Sequence, residues 1–189
     1  MGSLWSYFLE SIGFSAFEDM RAGLFGLSNA GKSVLANALK TGEYKEIPPT
    51  VGIDEISNVN LQTEHDKKSL QIFDISGDEK MRQEWQQEAL LADLVLFAVD
   101  GSDMESVKEA VQALDDFVSE LPFTKPVFVV MTKLDLAEKG AYVRFDQFQS
   151  LLTTNHPLIG MEVSSKTKTN LKELVEKLVA FCKEAKRKR

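Results

Sequence analysis

Beyond the first twenty residues the chain alternates short apolar runs with longer stretches of helical period, the pattern of an α/β domain built on a mostly parallel sheet. Arg21–Leu27 reads as a strand entering a glycine-bounded loop, and Lys32–Lys40 as the helix that leaves it. Ile56–Thr63 and Ser69–Ile75 read as two strands joined by the polar turn Glu64–Lys68, so one edge strand should run antiparallel to the rest. Leu94–Asp100 and Val127–Thr132 are continuous apolar runs, as expected of strands buried on both faces. Met104–Leu121 has helical period and is closed by Pro122, and Ile159–Val163 is strand-like. From Asn170 to about Lys186, Leu171, Leu174, Val175, Leu178 and Cys182 share one helical face, which assigns Cys182 to core packing rather than reactivity. The pattern predicts a doubly wound α/β domain with a six-stranded, mostly parallel sheet and about five helices on its two faces.

The first nineteen residues follow another rule. At 100° per residue, Leu4, Trp5, Phe8, Leu9 and Ile12 fall within an arc of about 140°, with Ser3, Ser6, Glu10 and Ser11 outside it. Residues 1–19 are therefore set apart as an amphipathic helix ahead of a domain spanning 20–189. Such a helix either enters a membrane surface or packs permanently on its own domain. The two aromatic rings favour the membrane, while Glu10, Glu18 and Asp19 oppose tight binding to anionic lipid. Met1-Gly2-Ser3-Leu4-Trp5-Ser6 satisfies M-G-x-x-x-[ST], an acceptor pattern for N-myristoylation, and reads equally as an ordinary start. The chain closes on the basic tail Lys183–Arg189 and has no C-a-a-X box. A helix dipole favours cations there, and anionic lipid would attract them by roughly 1 kcal/mol each.

Composition narrows this picture without redirecting it. A length of 189 residues, 43% of them apolar and 27% charged, suits one globular domain. A net charge of −7 argues against a general nucleic-acid binder. The single cysteine excludes an internal disulfide and favours a reducing compartment. No apolar run approaches the roughly 18 residues that span a bilayer, and no basic n-region marks a secretory signal. The expectation is a soluble, cytoplasmic protein. His65 and His156 read as solvated loop residues, and no His/Cys metal cluster is apparent.

Candidate chemistry begins at Gly26-Leu27-Ser28-Asn29-Ala30-Gly31-Lys32-Ser33, a full match to G-x-x-x-x-G-K-[ST] between a strand and a helix. The glycines let backbone N–H groups turn inward around phosphates, Lys32 neutralises the outer ones, and the Ser33 hydroxyl takes a place on Mg²⁺. Ser28, Asn29, Ala30, Gly31 and Val34 belong to the same cradle. A phosphate loop does not name the base. Thr132-Lys133-Leu134-Asp135 leaves an apolar strand at the carboxyl edge of the sheet, where ligands bind. A carboxylate there accepts both the N1–H and the 2-amino group of guanine, whereas adenine would leave it unpaired, a mismatch that discriminates strongly. Ser164-Ser165-Lys166 follows another strand and supplies a third loop at that edge.

From about Met20 to Lys183 the chain resembles a Ras-superfamily small GTPase, with details of the Arf/Sar branch. Gly26–Ser33, Thr132–Asp135 and Ser164–Lys166 are similar to the family's phosphate and base motifs. Pro49-Thr50-Val51-Gly52 resembles the switch I segment whose threonine binds Mg²⁺ and the γ-phosphate. Asp74-Ile75-Ser76-Gly77 resembles the D-x-G-G motif, in which the aspartate holds Mg²⁺ through water and the Gly77 N–H senses the γ-phosphate. Asp78–Trp85 follows the Arf pattern after that glycine. The resemblance implies a P-loop GTPase domain that binds GTP or GDP with Mg²⁺, hydrolyses GTP, and answers to an exchange factor, an activating protein and effectors, attached peripherally to membrane in the GTP state. The catalytic set it implies is Thr50, Gly77 and Asp78.

Four substitutions and one difference of length qualify it. Thr132 replaces the asparagine that ties the base loop to the phosphate loop, which puts affinity in question more than base choice. Ser28 stands where Arf proteins carry aspartate, and Ser76 replaces the first glycine of switch II. Asp78 stands where the water-orienting glutamine belongs, so hydrolysis should be slow. That last substitution also sustains a rival reading: a nucleotide-stabilised scaffold that does not turn over. The strand hairpin between the switches reads as longer than in Arf proteins.

Overall fold

The computed structural model describes residues 20–64, 67–138 and 140–187, with side chains of the last helix as far as Lys183. The Met1–Ser6 pattern, the amphipathic arc Leu4–Ile12, His65 and the final Lys188-Arg189 lie outside the described residues. Six strands form one sheet: β1 Met20–Phe25, β2 Ile53–Gln62, β3 Lys67–Ile75, β4 Leu94–Asp100, β5 Val127–Thr132 and β6 Leu158–Glu162. Their spatial order is β2-β3-β1-β4-β5-β6. Every neighbouring pair is parallel except the β2–β3 hairpin at one edge. Among the described residues five α-helices connect them: α1 Lys32–Thr41, α2 Arg82–Leu91, α3 Met104–Ser119, α4 Phe145–Leu151 and α5 Leu171–Arg187.

The period of two along the central strands builds two cores at once. In β4, Leu94, Leu96 and Ala98 face α1 and α5, where Leu35, Leu39, Leu174, Leu178 and Cys182 pack. Val95, Phe97 and Val99 face the other way, onto Trp85 of α2, Leu114 and Phe117 of α3 and Phe148 of α4. A strand that feeds both cores has no polar face to show, which is why β4 and β5 are buried at every position. Cys182 is wholly buried in the first core, as its helical phase predicts. No helix among the described residues is long and apolar enough to cross a membrane.

Parallel strands send their carboxyl ends to a single edge, so the loops after β1, β3, β4, β5 and β6 converge there. Helix ends nearby are closed by side chains. Asp103 caps α3 by accepting from the N–H groups of Glu105 (3.0 Å) and Ser106 (3.3 Å). At the opposite edge the Lys125 ammonium donates to the carbonyls of Ala89, Leu90 and Ala92 at 2.7–2.9 Å, closing the end of α2. That anchor explains how α2 stays seated although only Trp85 and Ala89 of it are buried.

The structure departs from the sequence pattern at several places. β2 reaches further toward the first switch segment than expected, beginning at Ile53, while β3 ends at Ile75 as expected and begins at Lys67, inside the expected turn; a bulge between Ile56 and Val59 places Asn58 at φ 58°. Because this strand is an edge with one solvated face, its first half carries Asp54, Glu55 and Ser57 and shows no apolar run. The α3 helix stops at Ser119, short of Leu121. His156 is not solvated: it is 5% exposed, and its Nε2 lies 2.8 Å from the Lys125 carbonyl. The pairing of β5 with β6, continued by the Val127 N–H to Pro157 bond, presses it against that backbone.

Candidate nucleotide and metal site

The loop between β1 and α1 wraps its own lysine. Lys32 is 6% exposed, and its ammonium donates to the carbonyls of Gly26 (3.0 Å) and Leu27 (2.9 Å). Burial lowers it to about 8, with the Asp74 carboxylate pulling the other way. The ammonium stays mostly charged at neutral pH and sits at the N-terminus of α1, where the helix dipole adds to its attraction for an anion.

Asp74 closes β3 inside the molecule. It is wholly buried, and its Oδ2 accepts from the hydroxyls of Ser33 (2.5 Å) and Thr50 (2.9 Å), which lie 2.8 Å from each other. Burial raises the carboxyl above its usual range, while the two hydroxyls and Lys32 oppose the rise. Its Oδ1 is buried with no hydrogen-bond partner among the described residues. Three hard oxygen donors from three separate segments, one of them an unsatisfied carboxylate oxygen, fit a hard divalent cation such as Mg²⁺.

The segment after Asp74 lies on the phosphate loop. A Cβ added to Gly77 would come within 2.2 Å of Ser28 N and 2.6 Å of the Gly26 carbonyl oxygen, so only glycine allows this approach. Ser76 is buried. Its N–H donates to the Gly52 carbonyl (2.8 Å), and its own carbonyl accepts from the Trp85 indole (3.1 Å). Asp78 is exposed, and its carboxylate accepts from the Lys80 N–H at 3.0 Å, capping the short 3₁₀ turn Glu79–Met81.

On the other side of the phosphate loop is a cavity of about 400 Å³. Asn29, Gly31 and Val34 line its phosphate end, Thr132, Lys133 and Asp135 the β5 side, and Ser165 and Lys166 the β6 side. Lys133 adopts the left-handed conformation (φ 59°), and its ammonium pairs with Asp100 at 2.6 Å. Ser164 is buried behind the wall and donates to Asp135 Oδ1 at 2.6 Å, orienting that carboxylate rather than lining the cavity. The Thr132 hydroxyl lies 2.8 Å from the Ala30 carbonyl and 3.1 Å from that of Val99. The tie between base loop and phosphate loop, which the replacement of asparagine put in question, is therefore present, made by a hydroxyl. Sequence reasoning missed Tyr44, Glu46 and Ile47, which close the cavity from the segment after α1; Lys166 stands over the Tyr44 ring at 6.0 Å. An irregular segment carries no period to reveal such residues.

An antiparallel edge hairpin on a phosphate-loop sheet, with the half-buried Asp135 carboxylate lining the cavity at its carboxyl edge, belongs to the small-GTPase class of doubly wound protein. Within that class, the sequence pattern of the ADP-ribosylation factor family matches residues 7–182, and the chain belongs to this family. ADP-ribosylation factor-like protein 8c of Arabidopsis thaliana is 27% identical, the match covering 96% of this chain and 98% of that protein. ADP-ribosylation factor J of Dictyostelium discoideum is 33% identical over 140 residues, 71% of this chain and 70% of its own. In fold, the chain is similar to the Arl6 BBS3 small GTPase of Trypanosoma brucei with bound nucleotide analogue GppNp (TM-score 0.68, 20% identity, 90% of this chain and 99% of that one). The chain is thus an Arf-like GTP-binding switch of the Ras superfamily, a family whose members in general bind guanine nucleotide with Mg²⁺ and hydrolyse GTP.

If the Thr132 hydroxyl is the tie, Thr132→Val keeps shape and volume but leaves the Ala30 carbonyl without its donor. Loss of one buried hydrogen bond of about 1 kcal/mol corresponds to roughly fivefold faster GDP release. Stopped-flow chase of a fluorescent GDP should show that increase for Thr132→Val and near wild-type release for Thr132→Ser.

Proposed function

We propose that this chain switches between GTP and GDP through the residues gathered at the sheet edge, that its intrinsic hydrolysis is slow, and that residues 1–19 attach it to membrane. The observation that carries the reading is the buried Asp74 carboxylate with one unsatisfied oxygen beside Ser33 and Thr50. Those three residues would hold Mg²⁺, which when bound neutralises charge on the outer phosphates. Lys32 and the backbone N–H groups of Ser28–Val34 take the phosphates. Asp135 accepts from guanine, Lys133 and Lys166 flank the base, and Ser164 and Ser165 hold the wall behind it. Gly77, already against the phosphate loop, offers its N–H toward the γ-phosphate. The rival reading, a nucleotide-stabilised scaffold without turnover, rests on Asp78 alone and gains no support from the family, whose members in general hydrolyse GTP.

Binding of GDP and GTP should require Mg²⁺ and exclude ATP, and Asp135→Asn should move the preference toward xanthine nucleotides. Displacement of labelled GDP by ATP at similar concentration would sink the assignment of the base cavity.

Slow hydrolysis follows from Asp78. A glutamine amide accepts from the attacking water while donating toward the γ-phosphate, whereas an ionised aspartate only accepts and adds negative charge. Here its carboxylate is also engaged by the Lys80 N–H. Asp78→Gln should raise the single-turnover rate by about tenfold, ~1.4 kcal/mol of barrier, while Asp78→Ala should change it little. A large loss in the alanine variant would make Asp78 itself catalytic and overturn this reading.

Membrane attachment is motivated by the one-sided arc Leu4–Ile12. Liposome co-sedimentation should be stronger with a GTP analogue than with GDP and vanish when residues 2–17 are deleted. Equal sedimentation in both states, or none, assigns the segment to packing.

A further inference from the structure

The irregular stretch before α4 contains a tyrosine with an unusual set of neighbours. The Tyr142 hydroxyl lies 3.0 Å from the Met131 carbonyl oxygen and 3.0 Å from that of Thr132, the last two residues of β5 before the base loop. One proton is shared between two acceptors. The Met131 carbonyl has a second donor in the Val163 N–H (2.8 Å), whereas the further donor to the Thr132 carbonyl among the described residues is the Gly101 N–H, at a long 3.4 Å. The Tyr142 ring lies flush on Gly101, where an added Cβ would come within 2.5 Å of it. The next residue continues the seam, its Val143 N–H donating to the Gly101 carbonyl at 2.8 Å. Gly101 in turn follows Asp100, the partner of Lys133, whose other oxygen is taken by the Ser102 hydroxyl (2.6 Å) and N–H (3.0 Å). Burial pushes the phenol well above its ordinary value, and the nearby Glu162 and Asp100 carboxylates add to the shift. The phenol is therefore a donor throughout the physiological range.

Tyr142 does not line the base cavity, yet it spans the ends of the two strands whose loops carry Asp100 and Thr132–Asp135. We propose that Tyr142 is a positioning residue for guanine nucleotide: it clamps the base loop to the end of β4 and so sets how long the nucleotide stays bound. The proposal rests on the assignment of the base cavity above. Without the hydroxyl, the Thr132 carbonyl is left with one long bond, and the loop that presents Lys133 and Asp135 loses a fixed point. The phosphate loop and the metal residues are untouched by it.

The test is the dissociation rate of a fluorescent GDP from full-length wild-type protein and from Tyr142→Phe, each with Mg²⁺ and with EDTA. The variant should release GDP about fivefold to tenfold faster, by the same factor in both conditions, because the clamp acts on the base side. Gly101→Ala should speed release in the wild-type background by displacing the ring, and should add nothing in a Tyr142→Ala background, where the ring is gone. An unchanged release rate with a lowered melting temperature makes Tyr142 merely structural and overturns the clamp. So does an acceleration seen only with Mg²⁺. Wild-type protein that retains no GDP overturns the base-cavity assignment itself, whereas retention by wild type with an unaltered variant overturns the clamp alone.

Discussion

A carboxylate taken out of water costs several kcal/mol unless charge or hydrogen bonds replace its hydration, and Asp74 is buried completely at the end of a parallel strand. Two hydroxyls serve one of its oxygens, and no group among the described residues hydrogen-bonds the other. Much of the surrounding architecture follows from supplying that group. Ser33 is delivered by the first turn of α1 and Thr50 by the segment before β2, so the phosphate loop and switch I meet on one side chain. Lys32 is close enough for the two charges to act on each other against burial. A cation held by these oxygens would complete the carboxylate's coordination, which makes the loops' closed arrangement dependent on what is bound.

The two switch segments are joined a second time through backbone. Gly52 accepts from Ser76 just beyond the paired residues Ile53 and Ile75, so the hairpin register fixes the spacing between Thr50 and Gly77. Beyond Gly77, switch II is secured again by the Trp85 indole on the Ser76 carbonyl, by the packing of that ring among Phe25, Phe97 and Phe117, and by Lys125 on the last carbonyls of α2. What lies between these anchors is the short stretch Gly77–Met81, pressed on the phosphate loop at one end and capped by Asp78.

Legibility in the sequence tracked burial. The bounds of β4 and β5 can be read to the residue, because strands buried on both faces are uninterrupted apolar runs. The edge strand β2 cannot be, since its first half is solvated and its bulge breaks the period of two. Helices α2 and α4 bury two residues and one, too few to print a stripe. Gly26–Ser33, between β1 and α1, and Ser33, Thr50 and Asp74, which the fold brings together, could be singled out because phosphate and metal chemistry allows few residue types at fixed spacing. Tyr44 and Tyr142 could not: each makes its contacts across a distance in the chain from a stretch without regular structure, and only the fold reveals them.

The departures from the family's motifs show why letters alone mislead in both directions. At Thr132 the requirement is a donor aimed at a carbonyl of the phosphate loop, and a hydroxyl meets it at 2.8 Å as well as an amide could. At Asp78, in the reading proposed above, the requirement is one group that donates and accepts at once. An ionised carboxylate has no proton to give, whatever its reach, and this one accepts from a backbone N–H of its own turn. The first substitution preserves the hydrogen-bond inventory of its site and the second does not. The expected consequence is a protein whose loops hold the nucleotide together while its own side chains do little to hasten the chemistry, so that the lifetime of the GTP state rests with groups a partner would bring.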